Sequence, residues 1–183
     1  VTALVDKTIL DCIDSGDIVI RPFDRERLGT NSYDVTLGSV LRVYTPSDQP
    51  LSVREARSTL DIQIPDTGFV LEPGELYLAS TLEYTESNKH LPVLNGKSSL
   101  GRLGLSIHIT AGTGDVLYKG HWTLEMTVVK SLRVYAGMPV GQLLWFEVSD
   151  TPTVDYARKP SAKYRDAADP LPQASRMWRN FDK

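Results

Sequence analysis

The chain shows the three-to-four spacing of an amphipathic helix once, near its start. In "DKTILDCIDSG", Ile9, Leu10 and Ile13 fall on one stripe, Asp6 stands where a cap is expected, and Gly16 suits the position just past the end. Beyond Gly16 the period shortens. The runs "DIVIRPF", "YDVTLGSVLRVY", "LDIQIP", "GFVLEPGELYLAS" and "LPVLNG" are rich in Val, Ile, Leu and Tyr and are divided by Gly, Pro, Asp and Asn. The pattern continues through "LSIHIT", "GHWTLEMTVV", "LRVYAG" and "PVGQLLWFEV", with one short helical turn expected at "SSLGRLG". Many short strands without alternating helices predict a mainly β fold, an antiparallel sandwich or barrel and not a parallel α/β sheet.

The strand period also sorts side chains by face. In "GHWTLEMTVV", Trp122, Leu124, Met126 and Val128 share one face, and Thr123, Glu125 and Thr127 share the other. Glu125 therefore does not intrude on the apolar face; it sits between two hydroxyls, on a face that is either solvated or functional. "TAGTGD" carries glycines that let a hairpin approach a ligand through its own backbone. Asp115 at its end either accepts a hydrogen bond from a sugar hydroxyl or simply stabilises the turn. "GKSSLGRLGL" reads as a turn entering a short helix, with Ser98 or Ser99 placed to cap it. Lys97 and Arg102 beside that turn can hold phosphate; the plainer alternative is a capped turn with solvated basic side chains.

From Tyr156 onward the β period is lost, and the chain divides into a β body with its N-terminal helix, 1–155, and a tail, 156–183. The tail carries Arg158, Lys159, Lys163, Arg165, Arg176 and Arg179, with Tyr156, Tyr164, Trp178 and Phe181 among them. Disordered tails are usually poor in aromatics, so this one is expected to order over a ligand or a neighbouring subunit.

Composition narrows the function classes. With 183 residues, 41% hydrophobic and 23% charged, the chain is one ordinary globular domain. A formal net charge of −3 gives no general attraction to nucleic acid or to an anionic membrane, so a bound phosphate needs a local basic cluster. No apolar run approaches the ~20 residues of a membrane span and no signal-peptide pattern is read, so a cytoplasmic protein is expected. Cys12 is the sole cysteine, and His90, His108 and His121 lack metal-ligand spacing. The His-x-Glu and Pro-Cys-x-x-Cys signature of zinc deaminases is missing, so zinc-bound water is not the expected chemistry.

Taken together these segments resemble the dCTP deaminase family, relatives of the trimeric dUTPases. The likeness starts with "DKTIL", "NSYDVTLG" and "LEPGELYLAS". It continues through "GKSSLGRLGL", "TAGTGD…KGHWTLEM", "GMPVGQL" and the tail "YARKPSAKYR…ASR". The resemblance implies a dUTPase-like antiparallel β fold (a β-clip) with an ordered tail, assembled as a homotrimer with sites at subunit interfaces. The substrate it implies is dCTP, carried as a magnesium complex, for the supply of dUMP and dTTP. Matched residue by residue, Glu125, Arg102 and Ser98 fall on the family's catalytic positions. Ala111 falls where a backbone group positions the reactive water. Asp115 matches the aspartate holding the deoxyribose 3′-hydroxyl, and Tyr118 the aromatic that leaves no room for a 2′-hydroxyl. Tyr156, Lys163, Ser175 and Arg176 match tail residues that close over the nucleotide and its phosphates. Lys97, Ser99, Thr110 and Thr123 complete the substrate-binding positions.

That chemistry is self-consistent. Deamination at C4 needs a base for the attacking water and an acid for the ring nitrogen and the leaving amine, and one carboxylate can serve in turn as each. Arg102, the serine turn and backbone groups can supply the field that orients the water. Two departures stand out: Thr113-Gly114 replaces a bulky residue followed by Ile, and Ala167 stands where the family has a glutamine. These tip the expectation toward deamination alone, releasing dUTP. Ala111-Gly112 instead matches the bifunctional form that continues to dUMP and pyrophosphate, and this is the alternative, alongside a dUTPase or modified-nucleotide pyrophosphatase variant. A non-catalytic nucleotide-binding regulator is a reading from another class, disfavoured because Glu125, Arg102, Ser98 and Asp115 occur together.

Overall fold

The helical stripe becomes α1 (Asp6–Ser15), which buries Ile9 and Cys12 and ends on Gly16 in the left-handed region, φ 79°. Asp6 does not cap it: the helix starts at Asp6, and Val5 stands at the cap without a side-chain bond. This computed structural model describes residues 2–110, 112–164 and 167–182. Eight strands follow in chain order. They are β1 (Ile18–Arg21), β2 (Tyr33–Thr36), β3 (Val40–Tyr44), β4 (Thr59–Gln63), β5 (Phe69–Leu71), β6 (Tyr77–Ser80), β7 (Tyr84–Ser87) and β8 (Leu91–Gly96). A one-turn helix α2 (Ser98–Gly101) leads to β9 (Leu105–Ser106), β10 (Lys119–Gly120), β11 (Thr123–Val128), β12 (Leu132–Val134) and β13 (Pro139–Phe146).

Every strand pairing among the described residues is antiparallel, as the sequence pattern predicts. The strands form sheets of order β1-β7-β10, β4-β3-β6-β11-β9, β12-β5 and β2-β13-β8. The apolar faces meet in one core that includes Tyr33, Val35, Leu41, Leu124, Met126, Leu143 and Trp145.

Strand β7, "YTES", has no hydrophobic signature, because its inward positions are hydroxyls. Thr85 and Ser87 are buried. Thr85 Oγ1 accepts from Trp122 Nε1 at 3.0 Å, and Ser87 Oγ donates to the His90 carbonyl at 2.6 Å. A second polar element sits next to it. Glu83 is fully buried, and its carboxylate takes Arg27 Nη1 at 2.6 Å, Thr36 N–H at 2.8 Å and Thr36 Oγ1 at 2.8 Å. A buried carboxylate is tolerated only with such partners, so this network ties the 310 turn at Arg25–Arg27 to β2 and to the β6–β7 connection.

The tail crosses its own five-stranded sheet. Arg42 on β3 donates to the Pro172 carbonyl (2.6 Å), and Ser80 on β6 donates to the Pro170 carbonyl (2.5 Å). Gln173 N–H donates to Thr123 Oγ1 on β11 (3.0 Å), and Ser175 N–H donates to the Tyr44 hydroxyl on β3 (3.0 Å). Ordering was expected over a ligand or a neighbouring subunit; here three adjacent strands of the same chain carry it. Arg42 is itself fixed by Asp61, whose carboxyl the paired guanidinium holds below the usual carboxylate range.

Candidate active site

The two-residue period places Glu125. Along β11 the side chains alternate between half-buried and buried, with Leu124, Met126 and Val128 in the core and Thr123, Glu125 and Thr127 on the other face. The neighbouring segment was expected to be strand throughout "LSIHIT", but only Leu105–Ser106 forms β9. Ile107 still accepts from Glu125 N–H at 2.8 Å, and after it the chain leaves the ladder. That departure frees Ile109 N–H, which donates to Glu125 Oε2 at 2.8 Å. The carboxylate is thereby aimed at the start of the "TAGTGD" hairpin, where the exposed Thr110 follows. Ala111 lies outside the described residues.

The hairpin runs along β8. Leu94 N–H donates to the Gly112 carbonyl, Gly114 N–H donates to the Pro92 carbonyl at 2.9 Å, and Thr113 bridges Val93. Its two glycines are required by close approach. A Cβ on Gly112 would stand 2.3 Å from the Leu94 carbonyl oxygen, and one on Gly114 would stand 2.5 Å from Trp122 Cη2. The Thr113-Gly114 departure thus has a local cause: the Trp122 indole fills the space that a side chain at 114 would need. Asp115 is exposed and its carbonyl closes the turn with Tyr118 N–H. Around a cavity of ≈ 320 Å³ the hairpin's Asp115 and Thr113 face Tyr156 and Lys159 of the tail.

Tyr118 is turned inward. Its hydroxyl donates to the His121 carbonyl at 2.7 Å and its ring lies 4.6 Å from that of Trp122, so burial pushes its pKa up and it stays a protonated donor. Thr123 meets the tail through Gln173, as above. In the tail, the Tyr156 hydroxyl accepts from Lys163 N–H at 3.2 Å, and Arg176 Nη1 donates to the Lys163 carbonyl at 2.7 Å. Arg176 Nη2 donates to Gln173 Oε1 at 2.7 Å. Ala167 is buried against Gly120, its carbonyl accepting from His121 N–H at 2.7 Å. At this position the chain uses a small side chain to seat the tail on β10.

The serine turn stands apart. Ser98, Ser99 and Arg102 are exposed, and among the described residues none bonds to Glu125 or to the tail. Neither serine caps α2: Lys97 occupies the cap position and makes no side-chain bond to the helix. Lys97 is also not a freely solvated cation, because its Nζ is paired with Asp34 of β2, which further accepts from Gln142 Nε2 at 3.2 Å. Sequence reasoning missed Gln173, Tyr44 and Asp34 as partners of the site residues. Gln173 meets Thr123, Tyr44 meets Ser175 and Asp34 meets Lys97 only across long stretches of chain, and "PLPQASR" carries no motif that would single out its glutamine.

A family model described as dCTP deaminase-like matches residues 3–148. The chain belongs to the dCTP deaminase-like family. Within that family, a "dCTP deaminase, dUMP-forming" of Clostridium acetobutylicum is 44% identical over 150 residues, covering 82% of this chain and 83% of the relative. A protein of the same description from Leptospira biflexa is 41% identical over 180 residues, 98% of each chain. Among solved structures, 2′-deoxycytidine 5′-triphosphate deaminase from Agrobacterium tumefaciens superimposes with a TM-score of 0.60 at 20% identity. That match spans 78% of this chain and 47% of the longer one, and it is a likeness of fold. No helix among the described residues is long and apolar enough to cross a membrane.

Proposed function

We propose that this dCTP deaminase-like chain converts dCTP, as its magnesium complex, to dUMP, ammonia and pyrophosphate. The observation that carries the reading is the Glu125 carboxylate, held by Ile109 N–H at the mouth of the hairpin and two residues from the Thr123 hydroxyl that receives the tail. The dUTP-releasing reading gives way to its alternative. Relatives that match up to 98% of the chain are described as dUMP-forming, and Gly112 stands where no larger residue fits.

In this reading Glu125 takes a proton from water as the water oxygen bonds to C4. It passes that proton to N3, then takes the proton of the new C4 hydroxyl and gives it to the amine, and the C4–N bond breaks to release ammonia as C4=O forms. Ser98 and Arg102 orient the water and stabilise developing charge, with the backbone at Ala111 contributing. Asp115 holds the 3′-hydroxyl, and the ring of Tyr118 crowds the 2′ position. A second water bonds to the α-phosphorus and gives up a proton as the bond to the β-phosphate oxygen breaks, and pyrophosphate departs. Lys97, Ser99, Thr110, Thr123, Tyr156, Lys163, Ser175 and Arg176 complete the binding of the nucleotide. Magnesium would be held by the triphosphate oxygens and would offset their charge.

Among the described residues no hydrogen bond or ion pair joins the serine turn to Glu125 or to the tail, which supports sites completed between subunits of a homotrimer. Leu103, Ile109 and Val129 are 57%, 61% and 75% exposed around β9 and the end of β11, where another subunit would cover them. Ammonia release measured with dCTP, CTP and dCMP, on enzyme whose mass is read by light scattering, tests the whole. The expected result is a trimer that deaminates dCTP and spares CTP by ~10²-fold or more, the scale set by a well-shaped pocket. Equal turnover of CTP, or an active single subunit, contradicts it.

A further inference from the structure

The tail encloses a recess of ≈ 580 Å³ whose lining includes Lys163 and Arg176 together with one cation, Arg179, that the roles given above leave unexplained. Its walls are residues 160–163 together with Arg176, Arg179 and Asn180. Three of those side chains are cationic and none of the described lining residues is acidic. Two guanidiniums converge on one acceptor, since Arg176 Nη1 and Arg179 Nη1 donate to the Lys163 carbonyl at 2.7 and 3.3 Å. Arg179 is exposed at this recess, so its guanidinium is open to an anion there.

The recess is also connected to the chemistry. Arg176 bonds to Gln173, and Gln173 bonds to Thr123 on the Glu125 face of β11. Arg179 lies one step further out along that relay. Its guanidinium also lies over the Trp178 ring at 5.5 Å, and its Nε and Nη2 have no hydrogen-bond partner among the described residues.

We infer that Arg179 is a third cationic contact for the nucleotide's triphosphate, acting with Lys163 and Arg176 and meeting the terminal phosphate. A triphosphate extends away from the base, so the cation farthest along the relay from Glu125 meets its end. The guanidinium fork suits phosphate oxygens, and the Trp178 ring holds its plane in place. This rests on the reading of the chain as an enzyme of dCTP.

Arg179→Gln and Arg179→Lys, compared with the unaltered protein, test it. The measurements are ammonia release from dCTP, dCDP and dCMP, and binding of inorganic tripolyphosphate by calorimetry. Arg179→Gln is expected to raise KM for dCTP ~10-fold, the size of one charge-assisted hydrogen bond, with kcat changed less than ~2-fold. It should leave dCMP unaffected and weaken tripolyphosphate ~10-fold, while Arg179→Lys recovers most of the loss. A KM that is unchanged, or that rises by one factor for all three nucleotides, overturns the assignment and leaves Arg179 a packing residue of the tail. If the unaltered protein releases no ammonia from dCTP, the functional reading fails by itself. Tripolyphosphate still decides Arg179: ~10-fold weaker binding to Arg179→Gln supports it, and equal binding overturns it.

Discussion

Glu125→Gln is expected to lower ammonia release from dCTP by ~10³-fold or more while nucleotide binding survives, because general acid–base catalysis by one positioned group is worth ~10²–10⁴-fold. The amide oxygen can still accept from Ile109 N–H, so the geometry at the hairpin mouth persists. What is lost is the group that takes a proton from water and returns it to the base and the amine. The check is a pair of measurements on the same variant, steady-state ammonia release and calorimetric binding of dCTP. Turnover within tenfold of the unaltered enzyme would remove Glu125 from the chemistry, whatever its position.

The second large effect is on stability. Arg27→Ala should destabilise the fold by about 3 kcal/mol, the lower end for removing one partner of a buried ion pair. The reason lies in the asymmetry of the pair: the Arg27 side chain is 28% exposed, but Glu83 is at 0% and cannot regain solvent. The two Thr36 bonds remain and keep the loss from being larger. Replacing both members, Arg27→Leu with Glu83→Gln, should cost less than Arg27→Ala alone, since no charge is then stranded and the amide oxygen still accepts from Thr36. Denaturant unfolding of the two variants checks this. Equal stability of Arg27→Ala and the unaltered protein would mean that the pair contributes nothing.

What the sequence made legible, and what it did not, follows the range of the interactions. The strand period alone separated Glu125 from Trp122, Leu124, Met126 and Val128, and the structure keeps that division residue for residue along β11. Local glycine and proline punctuation gave most of the strands. By contrast, β7 was invisible because Thr85 and Ser87 enter the interior with hydroxyl partners, Trp122 far along the chain for Thr85 and the nearby His90 carbonyl for Ser87. Glu83 was equally unreadable, since a carboxylate between hydrophobic runs looks solvated until Arg27 and Thr36 are brought to it.

The site was legible to different depths. Its residue types were carried by motifs, but the path of the tail was not, because Arg42, Tyr44, Ser80 and Thr123 meet it only after the five-stranded sheet has formed. In the sequence the two departures tip the expectation toward deamination alone. The structure instead shows Gly114 making room for Trp122, and Ala167 seated on Gly120. Gly114 answers a neighbour just before β11 and Ala167 one distant in sequence, so each has a packing cause and neither is evidence for a reaction that stops at dUTP.

The most direct test of the central claim is a quenched time course with magnesium and dCTP in which ammonia, dUTP, dUMP and pyrophosphate are resolved from the same samples. The account predicts dUMP and pyrophosphate rising in step with ammonia, one of each per dCTP consumed, with dUTP never the main product. Accumulation of dUTP in proportion to ammonia, with pyrophosphate absent, would contradict it.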